Sequence, residues 1–181
     1  LYGLNGQHRE AMREYVSLLD QSPNQYALVR NRLQSFVDRG EGTEAIIDVL
    51  EAAVEQHPLN PSFRKLLAWL YLTTDHYAAA YDVYRALDRL QKQNGQTLHK
   101  FARKAADADQ FAVATKAFKA ILERYPNAEI APKAQQALGD TYKRWAESTP
   151  PSSSASPDST ARYDAARTAY NTFLEKYPTH K

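Results

Sequence analysis

The feature that most constrains this chain is an apolar helical pattern that recurs every 34 residues. Thr43, Tyr77 and Phe111 each follow a turn and precede an amphipathic stretch, and successive members are 34 residues apart. In the middle period the apolar positions form two helical faces, the first with Phe63, Leu66, Leu67, Leu70 and Tyr71 and the second with Tyr77, Ala80, Tyr84 and Leu87. Each period therefore predicts a pair of antiparallel helices, and the chain is predicted to be all-α.

The hairpin pattern predicts a single repeat domain over residues 1–181. Its repeats are 26–60, 61–94, 95–131 and 132–181, after an incomplete one at 1–25. In that first segment we expect a turn at Asn5-Gly6 and then a helix that ends near Pro23. Half a hairpin leaves Ala11 and Tyr15 without a neighbouring helix, so we expect a segment of a larger protein in which another helix lies there. The chain starts at Leu1 without a signal-like stretch, which leaves the removal of an upstream signal or anchor open.

Local signals predict where individual helices begin and end. Thr43 and Asn60 are side chains that cap helix N-termini, and Asn60 precedes a proline suited to the first turn. Gly95 is predicted to adopt a left-handed conformation that closes the central repeat. Residues 148–160 read STPPSSSASPDST and offer no apolar face, so they predict a disordered loop inserted into the last repeat.

Composition narrows the classes of function. A 43% hydrophobic content supports a packed core, and a net charge of +2 argues against a nucleic-acid binder. The chain has no cysteine and no apolar run long enough to span a bilayer. It also lacks a nucleophile elbow, a Gly-rich phosphate loop and paired catalytic carboxylates, so we expect no enzymatic activity, no cofactor and no metal.

The repeats resemble the tetratricopeptide repeat, whose pattern is W-x2-L-G-x2-Y, then A-x3-F, then P. The last repeat matches best, with Leu138-Gly139, Tyr142, Ala166, Tyr170 and Pro178, although Gln135 stands at the tryptophan position and about fifteen residues are inserted at the turn. The central repeat has Leu67-Ala68, Tyr71, Ala80 and Tyr84, and the third has Ala114, Phe118 and Pro126. The resemblance covers nearly the whole chain and implies a right-handed superhelical solenoid.

Two short segments, Glu123-Arg124-Tyr125-Pro126 and Glu175-Lys176-Tyr177-Pro178, resemble repeats of bacterial envelope proteins. Similar segments occur in outer-membrane assembly lipoproteins and in the periplasmic coordinator of the Tol-Pal system. The resemblance therefore implies a bacterial protein of the periplasm, with the cytoplasm as the alternative, since cytosolic arrays use similar phrases.

The family resemblance also implies a concave groove lined by the first helix of each repeat. The residues that we expect to bind a partner there are Arg39, Lys65, Trp69, Leu72, His99, Arg103, Lys133, Asp140, Lys143 and Arg144. Further positions that the family pattern assigns to the groove include Leu28, Ala106, Asp107 and Gln136. The co-chaperone carboxylate clamp needs a specific Lys/Asn/Arg set that Lys65 and Arg103 do not reproduce, so that activity is not carried over.

Each groove residue also has a plainer interpretation. Trp69 is either an exposed anchor for a partner or a core residue packed on the neighbouring first helix. The first helices hold eleven Lys or Arg against three Asp, which fits either solvated faces or a basic groove that attracts an acidic ligand. His99 is most simply polar surface, and no second histidine at helical spacing supports a metal site.

Three functions fit these patterns. The first is a non-catalytic scaffold that binds a peptide or protein segment, with acidic groups, in its groove. The second is an oligomerisation or stacking module that uses the open end near Ala11 and Tyr15. The third is a regulatory region of a larger enzyme. The partner's identity and the oligomeric state do not follow from the sequence.

Overall fold

The computed structural model describes residues 2–148 and 157–178, and within them it is all-α without a β-strand. The helices are α1 (Tyr2–Gln21), α2 (Tyr26–Asp38), α3 (Thr43–Gln56), α4 (Pro61–Thr73), α5 (Tyr77–Leu90), α6 (Gln96–Asp107), α7 (Phe111–Arg124), α8 (Ala131–Glu147) and α9 (Pro157–Lys176), with a 3₁₀ turn at Pro23–Gln25. The predicted fold class, an array of helical repeats, is confirmed. None of the described helices is both long and apolar enough to cross a membrane.

The predicted 34-residue recurrence marks real helix starts. Helices α3, α5 and α7 begin at Thr43, Tyr77 and Phe111. The first helices recur just as regularly, because α2, α4, α6 and α8 begin at positions 26, 61, 96 and 131. Regular starts place equivalent side chains on equivalent faces of successive repeats.

The chain forms two compact units, Leu1–Val83 and Tyr84–Lys181. In the first unit α1 and α4 both pack against α3, and α2 contacts α4. In the second unit α6 packs on α7, α7 on α8, and α8 on α9. Each unit has its own apolar interior, with Phe63 and Leu66 fully buried in the first and Phe101 and Phe118 in the second.

Several local predictions need correction. Helix α1 runs without a break through Asn5 and Gly6, so no turn lies there. Gly42, with φ of 64°, is the N-cap of α3, and Thr43 is already the first helical residue and makes no capping bond.

The predicted cap at Asn60 is confirmed. Its Oδ1 accepts a hydrogen bond of 2.9 Å from the backbone N–H of Ser62 at the start of α4.

The predicted loop at 148–160 is shorter at its C-terminal end, because α9 begins at Pro157. Residues 149–156 of that loop lie outside the described residues. On α9, Tyr163 is 47% exposed, whereas Ala166 is buried. Gln135, which stands at the family's tryptophan position, is buried and its Nε2 donates to the Ala169 carbonyl at 2.9 Å, so it ties α8 to α9.

A buried carboxylate joins α5 to the start of α6. Gly95 has the predicted left-handed conformation, with φ of 92°. It does not end α5, however, because it lies five residues after the end of that helix and directly before α6. Asp88 of α5 is 1% exposed and accepts backbone N–H groups from Gly95 at 2.9 Å, Thr97 at 2.9 Å and Leu98 at 3.3 Å. These N–H groups belong to the first turn of a helix, where no helical acceptor exists. Asp88 therefore has the role of an N-cap side chain for α6, although it belongs to the preceding helix.

We expect Asp88→Ala to lower the free energy of unfolding by about 3 kcal/mol, because it strands buried N–H donors that lose a charged acceptor. Urea denaturation measures the change. Glu123→Ala removes an exposed carboxylate from α7 and should stay within about 0.5 kcal/mol of the parent chain. Equal stability of Asp88→Ala and Glu123→Ala would contradict this role for Asp88.

Candidate functional site

The second unit contains a pocket of about 420 Å³ between the first helices of two successive repeats. Its wall includes His99, Arg103, Ala106 and Asp107 from α6, Lys133, Gln136, Ala137, Asp140, Thr141 and Arg144 from α8, and Phe118 from α7. Eight of these eleven residues are positions that the repeat pattern assigned to the groove. The spacing of three to four residues along α6 and α8 explains why they share a face.

The pocket brings together five of the predicted partner-binding residues, namely His99, Arg103, Lys133, Asp140 and Arg144. Lys143 does not line it and instead pairs with Glu147 one turn along α8, at 3.9 Å. Phe118, Ala137 and Thr141 were not predicted. Phe118 reaches the pocket from a second helix, which the family rule for groove residues does not include.

The other predicted residues belong to the first unit. Arg39 donates from Nε to Glu41 at 2.9 Å, and its guanidinium lies 5.3 Å from the centre of the Phe36 ring. Lys65 is exposed, and Trp69 and Leu72 are half-buried on α4. Trp69 is therefore neither a buried core residue nor a fully free anchor, and its role in binding remains a prediction.

The acidic groups around the pocket already have partners. Arg144 is paired with Asp107 at 3.5 Å and with Asp109 at 3.3 Å. Asp140 accepts a hydrogen bond of 2.6 Å from the hydroxyl of Tyr170 on α9. Burial and this hydrogen bond raise the pKa of Tyr170, so the hydroxyl keeps its proton and remains a donor.

His99 departs from its prediction as polar surface. Its side chain is 8% exposed, it meets the Phe118 ring edge-on at 5.5 Å between centroids, and its Nε2 is buried without a hydrogen-bond partner. Burial lowers its pKa from the usual 6.5, and the charges of Arg103 and Lys133 act in the same direction, whereas a hydrogen bond to the Lys133 backbone opposes them. The ring is therefore neutral near pH 7.

Within residues 2–148 and 157–178, no group of His, Asp or Glu side chains is arranged to hold a metal ion. The pocket offers cations, a neutral imidazole and amide or hydroxyl groups, and its carboxylates are engaged. Such a wall can hold an acidic or polar segment of another molecule.

Comparison with known proteins identifies the repeats. Two models of the tetratricopeptide repeat match the chain, one over residues 4–61 and 47–95 and the other over 155–180. No curated protein sequence matches it significantly. A crystal structure of MamA aligns with 94% of this chain and 92% of its own, with 16% sequence identity and a TM-score of 0.40.

The lowered pKa of His99 predicts a pH-dependent stability. Below pH 6.5 the unfolded chain takes up a proton that the folded chain resists, so the free energy of unfolding should fall as the pH drops from 7 to 5. Urea titrations across this range measure the slope. His99→Gln should reduce it, whereas His57→Gln, at an exposed histidine, should leave it as it is. Identical slopes for His99→Gln and the parent chain would refute the assignment.

Proposed function

The chain belongs to the tetratricopeptide repeat family, and from that premise we propose that it binds a peptide or protein segment along the groove faces of its first helices. Membership of this family supports a general role as a protein-interaction scaffold. Proteins with this fold are typically non-catalytic. The observation that carries the finer proposal is the pocket of the second unit, where groove positions of α6 and α8 converge on one cavity.

Accessible apolar groups on the first unit support the same function. Leu28 of α2, also a predicted groove position, is 46% exposed, and Trp69 and Leu72 of α4 are half-buried. A large aromatic group that is partly open to solvent can anchor a partner, while surrounding charges mainly set the encounter rate and register. On α4, the proposed segment places an apolar side chain near Trp69 and Leu72 and an acidic group near Lys65.

Selection of displayed twelve-residue peptides against the whole chain tests this function. For the tightest selected peptide we expect Trp69→Ala to raise the dissociation constant by about thirtyfold, as for a contact of about 2 kcal/mol. Tyr163→Ala removes an exposed aromatic from α9, outside the groove positions, and serves as the matched control. Calorimetry measures both.

Two results would count against the groove. If no peptide is selected, the groove-binding function fails. If Trp69→Ala binds as the parent does but melts much earlier, then Trp69 contributes to the core and the groove loses its anchor. Circular dichroism melting curves for both variants separate a loss of fold from a loss of contact.

Self-association is the second candidate, and one observation favours it. Tyr163 and Leu174 are 47% and 66% exposed on α9, and they are eleven residues apart, which is about three full turns of an α-helix, so both lie on one face. Light scattering over a concentration series would detect the oligomer, and Leu174→Lys should return it to monomers. A constant mass at all concentrations would exclude this candidate.

A periplasmic location is a further part of the proposal. It is supported by the segments around Tyr125-Pro126 and Tyr177-Pro178, which resemble repeats of bacterial envelope proteins. Fractionation of the native cells with an antibody to the chain tests it. Recovery with cytosolic marker proteins would favour the cytoplasmic alternative.

A further inference from the structure

The connection between α5 and α6 contains an Asn-Gly pair, the dipeptide in which asparagine loses its side-chain amide most readily. Deamidation begins when the backbone nitrogen of the next residue attacks the side-chain carbonyl carbon of asparagine. Glycine obstructs this attack least because it has no side chain. Asn94 is exposed, so water reaches it, and it adopts a left-handed conformation with φ of 49°. The chemistry of this pair therefore depends on how the fold holds it.

Both residues of the pair are those that the backbone of this connection requires. Asparagine tolerates the left-handed region better than most residues that have a Cβ atom. Gly95 has φ of 92°, and a Cβ there would lie 2.9 Å from Cγ2 of Ile121 and 3.1 Å from Cγ2 of Ile130. A bulkier residue that would slow the attack does not fit at position 95. The fold thus imposes a labile pair at this point.

The attacking nitrogen is already engaged in the folded chain. The Gly95 N–H donates to Oδ2 of Asp88 at 2.9 Å, and Asp88 is 1% exposed. The nitrogen attacks only after it has lost its proton, and a neighbouring carboxylate opposes that loss because two negative charges would then face each other. A carboxylate is also far too weak a base to remove an amide proton. Asp88 therefore keeps the nitrogen in its unreactive form.

Backbone geometry restrains the reaction as well. Closure of a five-membered ring requires rotation about the Cα–C bond of Asn94, until the Gly95 nitrogen lies beside the asparagine Cβ. Gly95 is fixed as the N-cap of α6, and its carbonyl oxygen accepts the backbone N–H of His99 at 2.8 Å. The rotation turns the peptide group that carries the Gly95 N–H, so the reaction requires that this N–H leave Asp88.

We propose that Asn94 is a site of deamidation and that the hydrogen bond from Gly95 to the buried Asp88 carboxylate controls its rate. When the connection opens, the Gly95 nitrogen gives its proton to hydroxide and forms a bond to Cγ of Asn94. The side-chain nitrogen takes a proton from water and leaves as ammonia. Water then adds to one carbonyl of the succinimide ring, and the bond from that carbonyl to the Gly95 nitrogen breaks. The product is aspartate or isoaspartate.

The two products affect α6 differently. Aspartate restores the original backbone and adds an exposed negative charge. Isoaspartate routes the main chain through the side-chain methylene, which lengthens it by one carbon between Asn94 and Gly95. Gly95, Thr97 and Leu98 all donate to the same carboxylate, so this displacement loosens the first turn of α6. Deamidation is therefore a slow chemical change at a helix that lines the pocket.

The first test compares the folded and unfolded chain at pH 7.5, with peptide mapping by mass spectrometry as the readout. In concentrated urea Asn5-Gly6 and Asn94-Gly95 should deamidate at equal rates, because both asparagines precede glycine and neither is held. In the folded chain we expect Asn94 to react about tenfold or more slowly, since the reaction waits for the connection to open. Equal rates at Asn94 in the folded chain and in urea would overturn the control. A folded chain that forms no product would overturn the site.

Variants separate the hydrogen bond from general stability. Asp88→Ala should raise the rate at Asn94 in the folded chain about tenfold, and Asp88→Asn, which keeps an acceptor without the charge, should raise it less. Glu123→Ala removes an exposed carboxylate and should leave the rate unchanged. Leu50→Ala weakens the core of the first unit, where Leu50 is fully buried, and should also react as the parent does. Circular dichroism verifies that each variant is folded.

Two outcomes of this comparison would refute the role of Asp88. One is a rate in both Asp88 variants equal to that of the parent chain. The other is an equal acceleration in Leu50→Ala, which would mean that overall stability controls the reaction.

Asn94→Asp isolates the new charge from the lengthened backbone. This variant should melt as the parent chain does, whereas the purified isoaspartate form should melt at a lower temperature. Identical melting curves for the isoaspartate form and Asn94→Asp would show that α6 is not loosened.

Discussion

The structure depends on the close approach of paired helices at small residues. Ala68, Ala80 and Ala114 are buried with almost no exposed surface, and Gly139 lies so close to α9 that a Cβ there would be 2.7 Å from the Tyr170 ring. Large neighbours such as Phe101 and Phe118 fill the remaining space. Without such contacts the isolated helices, most of which have fewer than fifteen residues, would be marginal in water.

This packing also explains why a pocket forms where it does. Once α6 and α8 are each held against α7, their inward faces are used for packing and their other faces are left to line a cavity. Long polar side chains can extend from those faces at no cost to the core. The same geometry holds Tyr170 in place, so that its hydroxyl reaches Asp140 across the α8–α9 pair.

Sequence periodicity predicted the helices well because burial of an apolar stripe is a local property. The starts at Thr43, Tyr77 and Phe111 and the buried positions of α3, α4, α6 and α7 follow from it directly. The burial of His99 does not, since it depends on α8, whose Lys133 lies 34 residues further along the chain. The capping role of Asp88 was missed for the same reason, because its amphipathic helix gives no sign of which distant N–H groups it will meet. The predicted turn at Asn5-Gly6 was wrong for a different reason. Both residue types are common in turns, but a continuous helix tolerates them, and α1 runs through both.

The link from Asp88 to α6 has a consequence for hydrogen exchange. First-turn amides of a helix normally exchange with solvent at once, because they have no acceptor in their own helix. Here the Gly95, Thr97 and Leu98 amides are held by a carboxylate from α5, so they become exchangeable only when α5 releases them. We therefore expect deuterium uptake at the start of α6 to report the release of these amides by Asp88 of the preceding helix.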